Sequence, residues 1–335
     1  MKSITNQLLK MTGAVALASL ISGNVSAQLY RVTSIAPGMS PFVVNTSIAK
    51  VVSKHLPDVE MQVRATGAAT RHLVEAGQGK VDFFFGSPII NWLMDKNKGP
   101  YKNMANAPLL EDNLGMIFSY EMGPYHYVVN ADSDIHSLAD LKGKKVFLGP
   151  PGGAARGVVG RNVKAVTGFT EDDMQVQNFG FDAAIQAFQD GKIDLVVLPT
   201  NIPSPPIQQF ALTKAIRILD IPVEQLKIPT ATGGTIVEIP AQAYGDNQVN
   251  TGVSRTHGAI VNFSARMDLD EEVVYQVTKT IWENIGEVTS SAQWMRNTIT
   301  LDNALKVIPS RLHPGAERYY REIGITIPAA LDYSK

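Results

Sequence analysis

The apolar positions change period several times within the first ninety residues. Residues 30–35 (Tyr-Arg-Val-Thr-Ser-Ile) alternate and predict a strand, which stops at Ala36-Pro37-Gly38-Met39-Ser40-Pro41. Val43, Val44, Ile48, Val51 and Val52 then recur at helical spacing. Residues 59–63 alternate again, ending at Ala65-Thr66-Gly67-Ala68-Ala69, and residues 70–76 read as a helix. Gly79-Lys80-Val81-Asp82-Phe83-Phe84-Phe85-Gly86 reads as a turn into a third strand. This β-α-β-α-β order predicts a parallel sheet with binding loops at the strand C-termini.

The rhythm returns further on. A basic turn, Lys142-Gly143-Lys144-Lys145, leads into the apolar run 146–148, then Gly149-Pro150-Pro151-Gly152-Gly153 and a helix over residues 155–166. A strand over 174–178, a helix over 182–189 and Gly191-Lys192-Ile193-Asp194-Leu195-Val196-Val197-Leu198 follow. The phrases G-K-V-D-F-F-F and G-K-I-D-L-V-V match, which suggests two similar lobes. Residues 122–129 read as a strand crossing between them, and a second crossing is expected between residues 230 and 261. Residues 270–286 and 290–308 read as helices that return to the first lobe. The expected fold is α/β: two lobes joined by two crossing strands, with a ligand cleft between them that closes by a hinge motion. The expected division is residues 28–124 plus 235–335 for the first lobe and 125–234 for the second.

Residues 1–27 have the layout of a secretory signal peptide. Lys2 and Lys10 supply charge, residues 11–21 are apolar or small, and Val25-Ser26-Ala27 forms a small-x-small cleavage site. The apolar stretch is too short to span a bilayer. The expectation is export to the periplasm, with cleavage near Ala27 and no lipid anchor, because no Cys adjoins the cut. Absence of Cys throughout also excludes disulfides, thiolate chemistry and Cys-ligated metals. Composition is globular, 44% hydrophobic and 18% charged, and Lys+Arg 30 against Asp+Glu 31 leaves a net charge of -1. That balance argues against nucleic acid or anionic lipid as the main partner.

The chemistry concentrates after residue 146. Strand, Gly-rich turn, helix is an arrangement that aims backbone N–H groups and a helix N-terminus at an anion. The turn lacks the Gly-Lys-Ser/Thr ending of a P-loop and the dinucleotide G-x-G-x-x-G, so the ligand it suits is a small anion and no cofactor is implied. The six His residues form no H-E-x-x-H, and no G-x-S-x-G elbow is present. Asp172-Asp173 and Glu271-Glu272 are adjacent pairs, which diverge on a helix. Nothing proposes an enzyme.

Several phrases carry a resemblance. Residues 138–146 (LADLKGKKV) with Gly149-Pro150-Pro151-Gly152 resemble the second-lobe signature of the TAXI family, the solute-binding proteins of one class of TRAP transporter. Residues 312–324 (LHPGAERYYREIG) resemble that family's closing phrase, and Thr66-Gly67-Ala68, Leu73 and Glu75-Ala76-Gly77 resemble its first-lobe loop and helix. The resemblance spans the mature chain. It implies a type II periplasmic binding-protein fold, and delivery of a small carboxylate or amino acid to a TRAP membrane permease by a monomer. Some members of the family bind glutamate or related dicarboxylates. This chain departs from the pattern where ligand specificity lies. The first loop loses glycines and a Tyr, the second ends in Ala68-Ala69, and the usual G-P-x-G-S-G-T becomes Gly149-Pro150-Pro151-Gly152-Gly153-Ala154-Ala155.

The candidate ligand contacts are therefore Ala36, Pro37, Gly38, Met39 and Ser40; Thr66, Gly67, Ala68 and Ala69; Ser87; Pro151, Gly152, Gly153 and Ala154; and Pro199, Thr200 and Asn201. Arg156, in the first turn of its helix, is the candidate guanidinium for a carboxylate. Arg71, His72 and Trp92 stay open as contacts. One of Phe83, Phe84 and Phe85 is expected to turn toward the cleft. A small organic anion is the expected ligand, and a sensory binding protein docking on a receptor is the alternative to a transporter subunit.

Overall fold

The computed structural model describes residues 27–332, so the expected signal segment lies, but for Ala27, outside the described residues. Among the described residues ten strands form the framework: β1 (Gln28–Ser34), β2 (Val59–Ala65), β3 (Phe83–Gly86), β4 (Leu114–Asn130), β5 (Lys145–Phe147), β6 (Gln175–Val176), β7 (Leu195–Pro199), β8 (Ile216–Ile218), β9 (Gly234–Ile239) and β10 (Ser254–Arg266). Their order is β2-β1-β3-β10-β4-β7-β5-β6, with β8 on β4 and β9 on β10. The β2-β1-β3 and β6-β5-β7 sets are parallel, as their β-α connections require, while β4 and β10 run antiparallel between them. The expected two-lobed α/β architecture is observed.

The repeated G-K-x-D phrase does the same work in both lobes. Gly79 and Gly191 end a helix with φ of +71° and +69°, values that suit glycine. The Asp three residues on then accepts from a backbone N–H of a neighbouring strand. Asp82 Oδ2 accepts from the Arg31 N–H at 2.8 Å, and Asp194 Oδ2 accepts from the Lys145 N–H at 2.7 Å.

The first crossing is longer than its sequence predicts. β4 begins at Leu114, well before Met122, because residues 114–120 are buried on both faces and show no alternation to read. The return crossing also lies later than residue 235. Residues 244–255 bond to the second lobe: Ile216 N–H donates to Asn247 O, Ile221 N–H to Arg255 O, and Tyr244 Oη lies 2.7 Å from His126 Nε2. The chain passes back at Gly258 and Ala259, opposite Pro124 and Gly123.

The returning helices pack on the first lobe as expected. The Glu271–Glu283 helix is capped by Asp270, whose carboxylate accepts from Glu272 and Val273 N–H. It meets the Pro314–Glu322 helix so closely that a Cβ on Gly315 would come within 2.5 Å of Tyr275 N. Tyr320 then donates to Ile117 O and accepts from Trp282 Nε1–H, both at 3.0 Å. This explains why the closing phrase of the sequence needs its glycine and its second tyrosine. The helix expected over 290–308 is broken into Met295–Thr298 and Leu301–Ala304. Ile299 leaves helical geometry (φ -101°, ψ 86°), and the Thr300 hydroxyl caps the second piece.

Two predictions follow from this packing. Gly315→Ala forces two helix backbones apart and should lower stability by about 1–3 kcal/mol, a melting-temperature loss of several degrees. Gly286→Ala, where an added Cβ meets open space, is the control and should leave the melt unchanged. The second concerns acid. Burial pushes His126 and His313 down to about 4. An unfolded imidazole titrates near 6.5, so between those values the unfolded chain takes up protons that the folded chain refuses. Stability should be full above pH 7 and fall through pH 6.5 to 4 by about 1.4 kcal/mol per pH unit for each such group. Urea melts across that range test this, and a flat profile would show that these imidazoles are not held neutral.

Candidate functional site

Four helices begin at the cleft between the lobes: Ala69–Gly77, Pro88–Asp95, Ala154–Thr167 and Phe181–Gln189. Their N-cap residues are Ala68, Ser87, Gly153 and Gly180, and none makes a side-chain cap hydrogen bond. The first N–H groups of a helix have no acceptor within it and sit at the positive end of its dipole. Residues from all four starts (Ala68, Ala69, Ser87, Gly153, Ala154 and Phe181) line one cavity of about 50 Å³, with Phe85, Met122, Tyr125, Pro199 and Val261 completing the wall. Gly149 makes the second-lobe turn possible: its φ is +128°, and a Cβ there would stand 2.6 Å from Arg156 N.

A larger chamber of about 500 Å³ adjoins this one and shares Ile89, Tyr125 and Ala259 with it. Its lining includes Arg161, Lys164 and Lys227 and no carboxylate. Among the described residues none of these three cations has an ion-pair partner. Tyr125 from β4 stacks on His257 from β10, ring centroids 4.0 Å apart. The Asn162 amide donates to His257 Nδ1 at 2.8 Å, which leaves the ring hydrogen on Nε2, a buried donor without a partner. Burial, with the Arg161 charge second, pushes His257 down to about 3, so the ring is neutral at neutral pH. Burial raises the Tyr125 hydroxyl, and Arg161 partly offsets this. Arg161 therefore acts electrostatically on the wall that the two chambers share.

The structure distributes the remaining candidates differently. Gly67, Ala68, Pro151 and Gly152 line another mouth of about 510 Å³, along with Arg71 and Asn178, which shares Ala68 and Pro150 with the inner cavity. There the Thr70 hydroxyl donates to Gly152 O across the cleft at 2.9 Å. The Ala36–Ser40 loop lines neither chamber. Met39 is fully buried, Gly38 packs on Pro206, and Ser40 Oγ meets Thr200 Oγ1 at 3.0 Å and accepts from Asn201 N–H at 2.5 Å. This loop, Thr200 and Asn201 thus bond one lobe to the other. Thr66 contacts His72 Nε2 through its carbonyl, and His72 is fully buried.

Arg156 also lines neither chamber. Its guanidinium forks onto Glu171 (2.9 and 2.5 Å) and reaches Asn178 Oδ1 at 2.6 Å, a pairing that raises Arg156 and lowers Glu171. Arg71 pairs with Glu75 at 2.7 Å and is exposed, and Trp92 lies under Lys98. Of the three phenylalanines Phe85 faces the inner cavity, while Phe83 stacks on Phe263 in the core. Sequence reasoning missed Arg161, Tyr125 and His257. Each lies within a regular element and not in a turn. The available signal was the spacing of Arg161 and Lys164, two cations three residues apart in the helix that follows the Gly-rich turn.

Solved structures resemble this fold at low identity. PhnD1 of Prochlorococcus marinus (MIT 9301), solved with methylphosphonate, is 14% identical, with 90% of this chain and 100% of that chain covered and a TM-score of 0.51. A TRAP periplasmic solute-binding protein of Chromohalobacter salexigens with bound D-glucuronate is 14% identical over 91% and 89%, with a TM-score of 0.47. The periplasmic aliphatic sulphonate-binding protein SsuA of Escherichia coli is 16% identical over 81% and 75%, with a TM-score of 0.44. The fold is that of the two-lobed type II periplasmic binding proteins. The family model described as NMT1-like matches residues 36–324, and with nearly all of both lobes inside that match, the chain belongs to the NMT1-like family.

Proposed function

We propose that this protein is the extracytoplasmic solute-binding subunit of a TRAP-type transporter, capturing a small organic anion by hinge closure and delivering it to the membrane permease. One observation carries the anion: four uncapped helix starts and an unpaired guanidinium, Arg161, converge on one cleft. Free N–H groups at helix starts and a fixed cation bind a carboxylate without hydroxyl donors, the groups this chain lacks at its Ala and Gly positions. The TRAP assignment rests on the likeness of the second-lobe and C-terminal phrases to TAXI proteins. A periplasmic location is supported by the signal-like residues 1–27 and by the fold.

In this reading Ala68, Ala69, Ser87, Gly153, Ala154 and Pro199 surround the bound group. Ala36, Pro37, Gly38, Met39, Ser40, Thr200 and Asn201 join the lobes behind it, and Thr66, Gly67, Pro151 and Gly152 form the rim. Arg156 is a positioning residue that ties its helix start to Glu171 and Asn178. The hinge lies at Gly123–Pro124 and Gly258–Ala259.

A hydrogen bond to a charged group contributes roughly 1.5–3 kcal/mol, and a tenfold change in affinity takes about 1.4 kcal/mol. Arg161→Gln should thus weaken the ligand by about tenfold to a hundredfold and leave the melt of the free protein unchanged, since Arg161 is exposed and unpaired. Arg156→Gln should leave affinity within about threefold, the effect expected of a partly exposed ion pair. The ligand is first identified by mass spectrometry of the small molecule released on denaturation, and both variants are then titrated by calorimetry. A neutral sugar or a cation as the released molecule would refute the anion reading.

A further inference from the structure

The two chambers differ tenfold in volume and share a wall, and this constrains the size and polarity of the solute. The inner one, about 50 Å³, is far below the range of pockets that enclose whole organic ligands and suits a small acidic head group. The outer one, about 500 Å³, lies within the range of pockets that enclose whole organic ligands, ~300–1,000 Å³. Its floor is apolar: Ile89, Val158, Ile228 and Pro229 surround the stacked Tyr125–His257 pair. A compact acid such as glutamate would leave most of that floor wetted. The other mouth is a poorer seat, because Thr70 and Gly152 already bond across the cleft there.

Resting on the anion-binding reading above, we infer that the solute is a ring-sized acid with an apolar body, whose acidic group sits at the shared wall near Tyr125 and Arg161 and whose body fills the outer chamber. The body lies against the Tyr125–His257 face. Arg161, Lys164 and Lys227 stand around it with no competing carboxylate on the lining, an arrangement that favours an aromatic ring through its π face. His257 Nε2–H, buried and unpartnered, is available to a single polar substituent on that ring. The class is thus an arylcarboxylate or aryl-substituted short-chain acid, and acids whose bodies carry hydroxyls throughout are disfavoured.

The test uses the whole mature protein, freed of any copurified molecule by unfolding and refolding, and calorimetry with three probes: phenylacetate, glutamate and phenylacetamide. Burying one ring is worth about 1.5–3 kcal/mol, roughly tenfold to a hundredfold in affinity, so phenylacetate should bind tighter than glutamate by that factor. Phenylacetamide, which keeps the ring and lacks the charge, should not bind measurably. Ala165→Trp places a bulky group in the outer chamber from an exposed position and should abolish phenylacetate binding while the melt is unchanged. Glutamate binding as tightly as phenylacetate, or phenylacetate binding surviving Ala165→Trp, would overturn the ring-sized solute and leave the anion reading standing. Phenylacetamide binding as tightly as phenylacetate, or no response to either acid, would overturn both.

Discussion

Strands β4 and β10 are antiparallel partners from the first lobe to the point where the lobes meet, and the rest of the molecule hangs on that pairing. Past Pro124 and Gly258 the partnership ends, and β4 gives its hydrogen bonds to β7 and β8 while β10 gives its own to β9. The exchange brings backbone against backbone. Gly123 has φ of +97°, and a Cβ there would stand 2.6 Å from Thr200 O; one on Gly258 would stand 2.6 Å from Val237 Cγ2. A register shift between Ala259 and Ile260 adds local twist at the same level. Met122, Tyr125, Ala259 and Val261, which line the inner cavity, all belong to these two strands. The proposed hinge and the cleft floor are therefore one structure, and on that reading a solute touching the floor would touch the element that lets the lobes move.

Contacts across the cleft are few and mostly neutral. Ser40 with Thr200, Asn201 N–H with Ser40, and Thr70 with Gly152 are hydrogen bonds between uncharged groups. Each such bond is worth about 0.5–1.5 kcal/mol net. On the proposed reading they are weak enough that the free energy of binding one organic anion would decide the balance between open and closed. Arg156 works at the opposite extreme. Its fork to Glu171 and its bond to Asn178 lie within the second lobe and fix the helix start that the anion would meet, whichever way the lobes turn.

Much of the fold was legible because local periodicity and burial agreed. The β-α alternation in each lobe, the glycine turns at Gly79 and Gly191, and the matching Asp82 and Asp194 are short-range features, and the structure uses them locally. Periodicity was silent where both faces of a strand are buried, so residues 114–120 did not announce β4. It misled over residues 290–308, where Ile299 and Thr300 interrupt an otherwise helical run. The candidate site was legible in the same uneven way. Ala68, Ser87, Gly153 and Pro199 are strand-end and helix-start residues, and topology alone puts them at the cleft. Arg161 lies two turns into its helix, and Tyr125 and His257 come from different crossing strands. Their meeting is a long-range fact about how helix and strands cross, and no spacing in the chain encodes it.

The electrostatics of the cleft follow from what is buried there. The chain is nearly neutral as a whole, at -1, so any positive field in the cleft is local. Protonated His257 would put a second charge beside Arg161 in a desolvated spot, and burial with that neighbour holds the ring neutral instead. The cleft thus keeps its permanent charge on solvent-reaching side chains, Arg161, Lys164 and Lys227, and its dipoles on the helix starts beneath them. On the proposed reading an anion entering would meet exposed cations first and the helix-start N–H groups last. Its apolar parts are then left against Ile89, Val158 and Ile228. Such a gradient, charge at the rim and dipoles at the bottom, would suit the solute proposed above, with one acidic end on an otherwise apolar molecule, because a second buried charge would find no partner in the inner cavity.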